Sequence, residues 1–186
     1  MTSPNPHAID ADTLSGMKPL RKVVFSLGSN LGDPLANLQG AVDAIRDTPD
    51  VIVVDVSSVY ESVPVDAPDG SPNFLNLVIV GESTLEPRTL LERAQAIEDA
   101  FGRDRVEPNA PRTLDVDVVM VGTTETAQED LTLPHPRAHE RGFVLIPWAE
   151  VDPAAELPGR GPIGPLLEAV GSAGVSKRED LVIEED

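Results

Sequence analysis

The chain has 186 residues, a formal net charge of −18, 18 prolines, 14 glycines and no cysteine. That length accommodates one domain with a real hydrophobic core, and the missing cysteines exclude disulfides, thiolate nucleophiles and thiolate zinc sites while fitting a reducing compartment. The acidic surplus excludes nucleic acid and anionic lipid as partners held by long-range attraction, because both demand a basic surface.

Residues 1–20 carry Pro4, Pro6, Gly16 and Pro19 and no periodic apolar face, so they read as a flexible leader. They are too polar and too broken for a signal peptide or membrane helix, and a cytoplasmic protein is expected. From Lys22 to Leu27 the residues alternate, with Val23, Phe25 and Leu27 on one face, and this strand stops at the turn Gly28–Pro34. Gly28 and Gly32 lack the lysine and threonine of a Walker motif and the third glycine of a dinucleotide fingerprint, which favours a tight turn over a phosphate loop. Asp33 before Pro34 is a helix start, a capping carboxylate followed by proline at the first helical position. Leu35, Leu38, Val42 and Ile45 mark the buried stripe of that helix.

Val51 to Tyr60 is β-branched and predicts one long second strand, and Phe74 to Val80 a third, antiparallel to it across a Pro/Asp/Gly-rich loop. Pro87 opens a second helix whose apolar face is Leu90, Ala94, Ile97 and Phe101, and Gly102 ends it where a left-handed cap costs least. Gln95 and Glu98 lie three apart on one flank, able to reach one ligand or merely to face solvent. Thr113 to Val121 is a buried strand. Its period of two puts Asp115 and Asp117 on one face with Val119 and Val121, and Leu114, Val116, Val118 and Met120 on the other. Carboxylates at i and i+2 have Cα atoms roughly 6.5 to 7 Å apart, suited to magnesium. A lone D-x-D is also compatible with a solvated edge, but Arg112 supplies a phosphate clamp beside it. Five of the eleven arginines, Arg103, Arg105, Arg112, Arg137 and Arg141, fall between positions 103 and 141, where a triphosphate would have to be held.

The order strand, helix, strand, strand, helix, strand predicts an α+β fold with a ferredoxin-like βαββαβ core, both helices on one face of an antiparallel sheet. Leu131 to Pro136 reads as an extended arm, Arg137 to Val151 as short helical turns, and Ile163 to Val170 as a last short helix. Residues 21–170 then form the catalytic domain, and 171–186 a charged, disordered tail.

Several motifs in one order resemble a known family: Leu-Gly-Ser-Asn-Leu-Gly (27–32), Ser-Ser-Val-Tyr-Glu-Ser (57–62), Phe-Leu-Asn (74–76), Pro-Arg-Thr-Leu-Asp-Val-Asp (111–117) and Leu-Pro-His-Pro-Arg-Ala-His-Glu-Arg-Gly-Phe-Val-Leu (133–145). From about Lys22 to Val170 the chain resembles 6-hydroxymethyl-7,8-dihydropterin pyrophosphokinase, a folate-pathway enzyme. The resemblance implies transfer of pyrophosphate from ATP to the pterin hydroxymethyl oxygen, release of AMP, and two Mg2+ ions held by Asp115 and Asp117. It implies that Arg103, Arg105 and Arg112 grip phosphate, with Arg103, Arg112, Asp115 and Asp117 as the catalytic set. His135 and Arg141 complete the nucleotide side, to which Gln95, Glu98, Val118 and Thr132 also match. For the pterin it implies stacking by Phe74 and Phe143, an edge read by Asn76, and a loop at Ser62, Pro64 and Val65 offering backbone contacts. Phe25 and Phe101 are expected in ordinary core positions. The expected state is a monomer.

Three departures from the family pattern stand out. Asn109-Ala110 replaces the Trp-Gly that many members carry before Pro-Arg, in a loop with Arg103 and Arg105 placed to cover ATP. Asp130 stands where some members have an ATP-side arginine, and Ser62-Val63 where others have Thr-Pro. Two other classes fit parts of the pattern. A ferredoxin-like small-molecule sensor would bind without magnesium or AMP, and an RNA-binding sheet would need exposed aromatic and basic residues on its strands, which a net charge of −18 opposes.

Overall fold

In the structure, a computed structural model describing residues 18–65, 67–102 and 113–185, strand β1 (Arg21–Ser29) occupies the middle of the main sheet. It pairs antiparallel with β4 (Phe74–Ser83) on one side and β5 (Asp115–Val121) on the other. Strands β2 (Val51–Val56) and β3 (Tyr60–Ser62) both pair with β4 on its far side, and β10 (Val175–Lys177) adds to β3. The order β2, β4, β1, β5, antiparallel throughout, is the expected ferredoxin-like arrangement.

Alternation along these strands divides the interior into two cores. Val23, Phe25 and Leu27 of β1, Leu75, Leu77 and Ile79 of β4, and Leu114, Val116 and Val118 at β5 face α1 (Pro34–Arg46) and α2 (Pro87–Ala100). The Asp33 carboxylate accepts the Ala36 N–H at 3.2 Å with Pro34 in the first turn, as the capping pattern predicts. Leu38, Val42 and Ile45 of α1 are buried as expected. Phe101 lies over Gly40, where an added Cβ would come 2.5 Å from the ring, and Gly102 stops α2 at φ +74°. On the opposite face Val24, Val78, Val80 and Met120 pack against α3 (Gly142–Val151) and α4 (Ile163–Val170), with Trp148 fully buried. The residues after 125 also form two small hairpins, β6 (Thr126–Ala127) with β7 (Thr132–Leu133) and β8 (Glu156–Leu157) with β9 (Gly161–Pro162), and a 3-10 turn at Ala138–Glu140. No helix among the described residues is long and apolar enough to cross a membrane.

Four expectations change. Val51–Tyr60 is two strands, because the Ser57 hydroxyl accepts the Val78 N–H at 2.9 Å and Glu150 takes the Ser58 N–H at 2.8 Å, turning the chain out of the ladder. Gly28 ends no strand but belongs to β1, opposite Asn76 and Asp115. A β-bulge leaves Val119 unpaired between Val118, opposite Phe25, and Met120, opposite Val24. Beyond it the parity reverses, so Met120 joins the second core and Val121 the first, the opposite of a straight period of two. The 171–186 tail is not structureless where it is described. It forms β10, Leu181 and Ile183 pack on the first core, and Gln39 and Arg46 of α1 hydrogen-bond to the Glu184 carbonyl. Its apolar residues outweigh the charge between them. The leader up to residue 17 lies outside the described residues.

Candidate active site

The face of the sheet that carries α3 and α4 is only half covered. At its other end Ser26 and Gly28 of β1, Phe74 and Asn76 of β4, and Asp115 and Asp117 of β5 floor a cavity of about 290 Å³. Pro64, Val65 and Ala67 close one side, and His135, Arg137, Glu140, Arg141 and Phe143 the other. Period-two geometry accounts for this floor, since the side chains that alternate with Phe25, Leu27, Leu75 and Leu77 must point away from the first core. An added Cβ at Gly28 would come 3.2 Å from Asn76 Oδ1 and 3.5 Å from the Phe74 ring, so a side chain there would crowd the amide and narrow the cavity.

The start of β5 is tied down locally: Ser29 Oγ donates to the Thr113 carbonyl, and Asn37 Nδ2 donates to the same oxygen at 3.1 Å. Glu98, only 3 % exposed, accepts the Val116 N–H at 3.3 Å from the outer side, between the two aspartates. Asp117 Oδ2 lies 4.0 Å from His135 Nε2 and 3.9 Å from Arg141 Nη1. His135 is placed by its own N–H, which donates to the Val119 carbonyl at 2.7 Å, the group that the bulge releases from the ladder. Its Nδ1 accepts the Arg137 N–H at 3.2 Å, so a neutral imidazole carries its proton on Nε2, toward Asp117. Burial holds the His135 imidazole below its ordinary value, Asp117 pulls the other way, and Arg141 and Arg137 add to the lowering. The Arg141 guanidinium sits 5.4 Å from the centre of the Phe143 ring. Asn76, 3 % exposed, donates from Nδ2 to Ser62 Oγ at 2.7 Å, which fixes the amide and leaves Oδ1 on the Gly28 side.

Of the residues singled out from sequence, Asp115, Asp117, His135, Arg141, Phe74, Asn76, Phe143, Pro64 and Val65 converge on this cavity. Arg103, Arg105, Arg112 and the Asn109-Ala110 departure lie outside the described residues. Five others are not in its wall. The Val118 side chain is on the opposite face, in the first core, because it alternates with Asp117. Ser62 is buried and engaged with Asn76, Glu98 braces β5, and Gln95 lies beside it on α2. Thr132 is exposed on β7 and its hydroxyl donates to the Gln128 carbonyl at 3.4 Å. Asp130 accepts from Arg88 of α2 at 2.6 and 3.3 Å. Ser26, Gly28, Ala67 and Glu140 line the cavity without having been singled out as site residues. The first two carried a signal, small residues at the positions of β1 that face away from Phe25 and Leu27.

A sequence model of the family 7,8-dihydro-6-hydroxymethylpterin-pyrophosphokinase matches residues 24–153, well over half of the chain. The chain belongs to that family. The pyrophosphokinase relatives include a protein of Mycobacterium tuberculosis named 2-amino-4-hydroxy-6-hydroxymethyldihydropteridine pyrophosphokinase, 40% identical over 172 residues that cover 87% of this chain and 89% of the relative. A protein of the same name from Bacillus subtilis is 41% identical over 127 residues, 68% of this chain and 75% of the relative. Among solved structures, the Plasmodium falciparum HPPK-DHPS protein with pterin and p-hydroxybenzoate superposes with a TM-score of 0.64 at 14% identity. The match covers 83% of this chain and 44% of that one, so the chain spans about half the length of the malarial protein and the likeness concerns the fold.

Proposed function

We propose that this chain transfers the β,γ-pyrophosphoryl group of ATP to the hydroxymethyl oxygen of 6-hydroxymethyl-7,8-dihydropterin, with release of AMP, in folate biosynthesis. The observation that carries it is the convergence on one cavity of two aspartates, two phenylalanine rings and one buried, oriented amide. In the reaction the substrate oxygen forms a bond to the β-phosphorus as the bond from that phosphorus to the α-bridging oxygen breaks, and the hydroxyl proton is lost. No covalent enzyme intermediate is required, so positioning and charge neutralisation carry the catalysis.

Asp115 and Asp117 fit Mg2+, which takes one or two carboxylates and fills its remaining positions with phosphate oxygens and water. Among the described residues no group of three or more His, Cys, Asp or Glu stands ready to enclose a metal alone, in keeping with a site completed by the substrate. Two Mg2+ ions held there would offset charge on the triphosphate and activate the attacking oxygen. The chain itself does the rest. His135, through its Nε2–H, and Arg141 face Asp117 and offer donors to phosphate oxygens. Phe74 and Phe143 offer ring faces to the pterin bicycle, and Asn76 Oδ1 accepts from a donor on its edge. Burial of His135 favours the neutral ring, a donor without a second positive charge beside Arg141.

We take the working unit to be a cytoplasmic monomer, which light scattering tests. Incubation with ATP, Mg2+ and the reduced pterin, with AMP measured by chromatography, tests the reaction. AMP formed only when all three are present is the expected result, and pterin-independent ATP hydrolysis or no AMP at all would overturn it.

A further inference from the structure

With the pterin pocket taken as proposed above, we infer that the C-terminal strand β10 positions the pterin-side loop at residues 63–65, so that pterin affinity depends on a segment that does not touch the cavity. Strand β3 has three residues and leads directly into Pro64 and Val65 of the cavity wall. Its ladder to β4 ends at Ser62, opposite Phe74, before the loop begins. Burial does not hold the loop either, since Val63 is 56% and Val65 61% exposed.

What fixes the loop is its other neighbour. The Val63 N–H donates to the Gly174 carbonyl at 3.0 Å, and the Arg178 N–H donates to the Val59 carbonyl at 2.8 Å. Between these bonds the antiparallel ladder alternates, which puts Ser176 and Glu61 in the hydrogen-bonded position. Arg178 adds a charged bond to Glu61 Oε1 at 2.8 Å while Asp180 holds its other edge at 2.9 and 2.8 Å. Further on, Leu181 and Ile183 are seated on the first core, and the Glu184 N–H donates to Gln39 of α1 at 2.7 Å. The segment is thus fastened at its far end to a helix that has no part in the loop. On its own side β3 is tied to α3 by Glu150, which accepts the Tyr60 hydroxyl at 2.6 Å. Detaching β10 frees the Val63 amide and lets the loop sample other conformations, and apparent affinity falls with the fraction of molecules that keep the competent one.

The test uses Ser176→Pro, which deletes the ladder N–H, and Arg178→Ala, which releases Glu61. Pterin binding is measured by calorimetry with a non-hydrolysable ATP analogue present, ATP-analogue binding is measured alone, and amide exchange is followed at Val63. Loss of one backbone bond corresponds to about tenfold weaker pterin binding in Ser176→Pro. The analogue should bind within about twofold of wild type, Val63 should exchange faster, and Arg178→Lys should recover part of any loss seen in Arg178→Ala. Pterin affinity unchanged while Val63 exchanges faster would overturn the positioning role. So would equal losses for both ligands in step with a lowered Tm. If Ser176→Pro does not fold, Arg178→Ala decides by the same criteria. Wild-type protein that binds the analogue but no pterin would instead remove the pterin assignment itself.

Discussion

One face of the central sheet is made of two regions that share the same three strands and do opposite work. Toward one end Val24, Val78, Val80 and Met120 are sealed under α3 and α4, and toward the other Ser26, Gly28, Asn76, Asp115 and Asp117 lie open to the cavity. The change from one to the other takes two residues along β1, from Val24 to Ser26. A rigid, close-packed support therefore adjoins the site without an intervening loop, which is how carboxylates and an amide are held to fractions of an ångström. The apolar half contributes stability and little chemistry, and the polar half the reverse.

Substitutions in the two halves should separate these contributions. The largest effect is expected for Asp115→Asn and Asp117→Asn, which preserve volume and remove a negative ligand. Turnover should fall by about 10³-fold or more, the equivalent of several kcal/mol, with circular dichroism unchanged. Activity within about threefold of wild type in both would show that the polar half does not hold the metal. In the apolar half, Val24→Ser should cost about 2–4 kcal/mol of unfolding free energy through lost packing and a buried hydroxyl. Its turnover per folded molecule should stay near wild type, and denaturant unfolding beside a rate assay checks both. Phe74→Ala comes next, with about 1–3 kcal/mol lost in pterin binding by analogy with base stacking, and ATP binding unchanged. Phe143→Ala should match it in binding but also lower Tm, because that ring packs on the second core as well as facing the cavity. Equal losses for ATP and pterin would mean that both rings serve the core alone.

The smallest effect concerns pH and the tie from Glu150 of α3 to Ser58 and Tyr60. Burial raises the proton affinity of Glu150, and the bonds from the Tyr60 hydroxyl and from Ser58, with Lys177 nearby, outweigh it and leave the carboxyl below its ordinary value. A carboxyl depressed on folding stabilises the protein above its unfolded pKa of about 4.3, and that contribution is lost as pH falls through the lower folded value. The stability gap between wild type and Glu150→Gln should accordingly be constant near pH 7 and shrink below about pH 4.3. Parallel urea midpoints across that range would argue against a stabilising role for the Glu150 tie.

Much of this division was legible in the sequence because it is local. The alternation of Val23, Phe25 and Leu27, the Asp33-Pro34 cap, the Gly102 stop and the Asp115/Asp117 pair each depend on residues within a few positions of one another, and each stands in the structure as expected. What was not legible depends on distant partners. The β2 ladder ends at Ser57 with help from Glu150, whose bond to Ser58 spans 92 residues. Glu98 looks like one more charge on an amphipathic helix until β5 is laid beside it. β10 reads as charged tail because its partner, β3, lies more than a hundred positions earlier, and no periodicity announces a three-residue strand. Ser62 fits the pterin-side pattern, but only the folded chain shows its hydroxyl spent on Asn76.

The extra residue in β5 gives that strand two reading frames. Before Val119, odd-numbered positions face the cavity; after it, the even-numbered Met120 takes over the same face. The frame changes two residues past the last carboxylate, and the carbonyl left over at the joint is what His135 holds. Deleting Val119 would merge the frames, close the joint and cut His135 loose while leaving Asp115 and Asp117 in place. The position of the histidine beside the aspartates is in this sense a property of where one strand falls out of step with its neighbour.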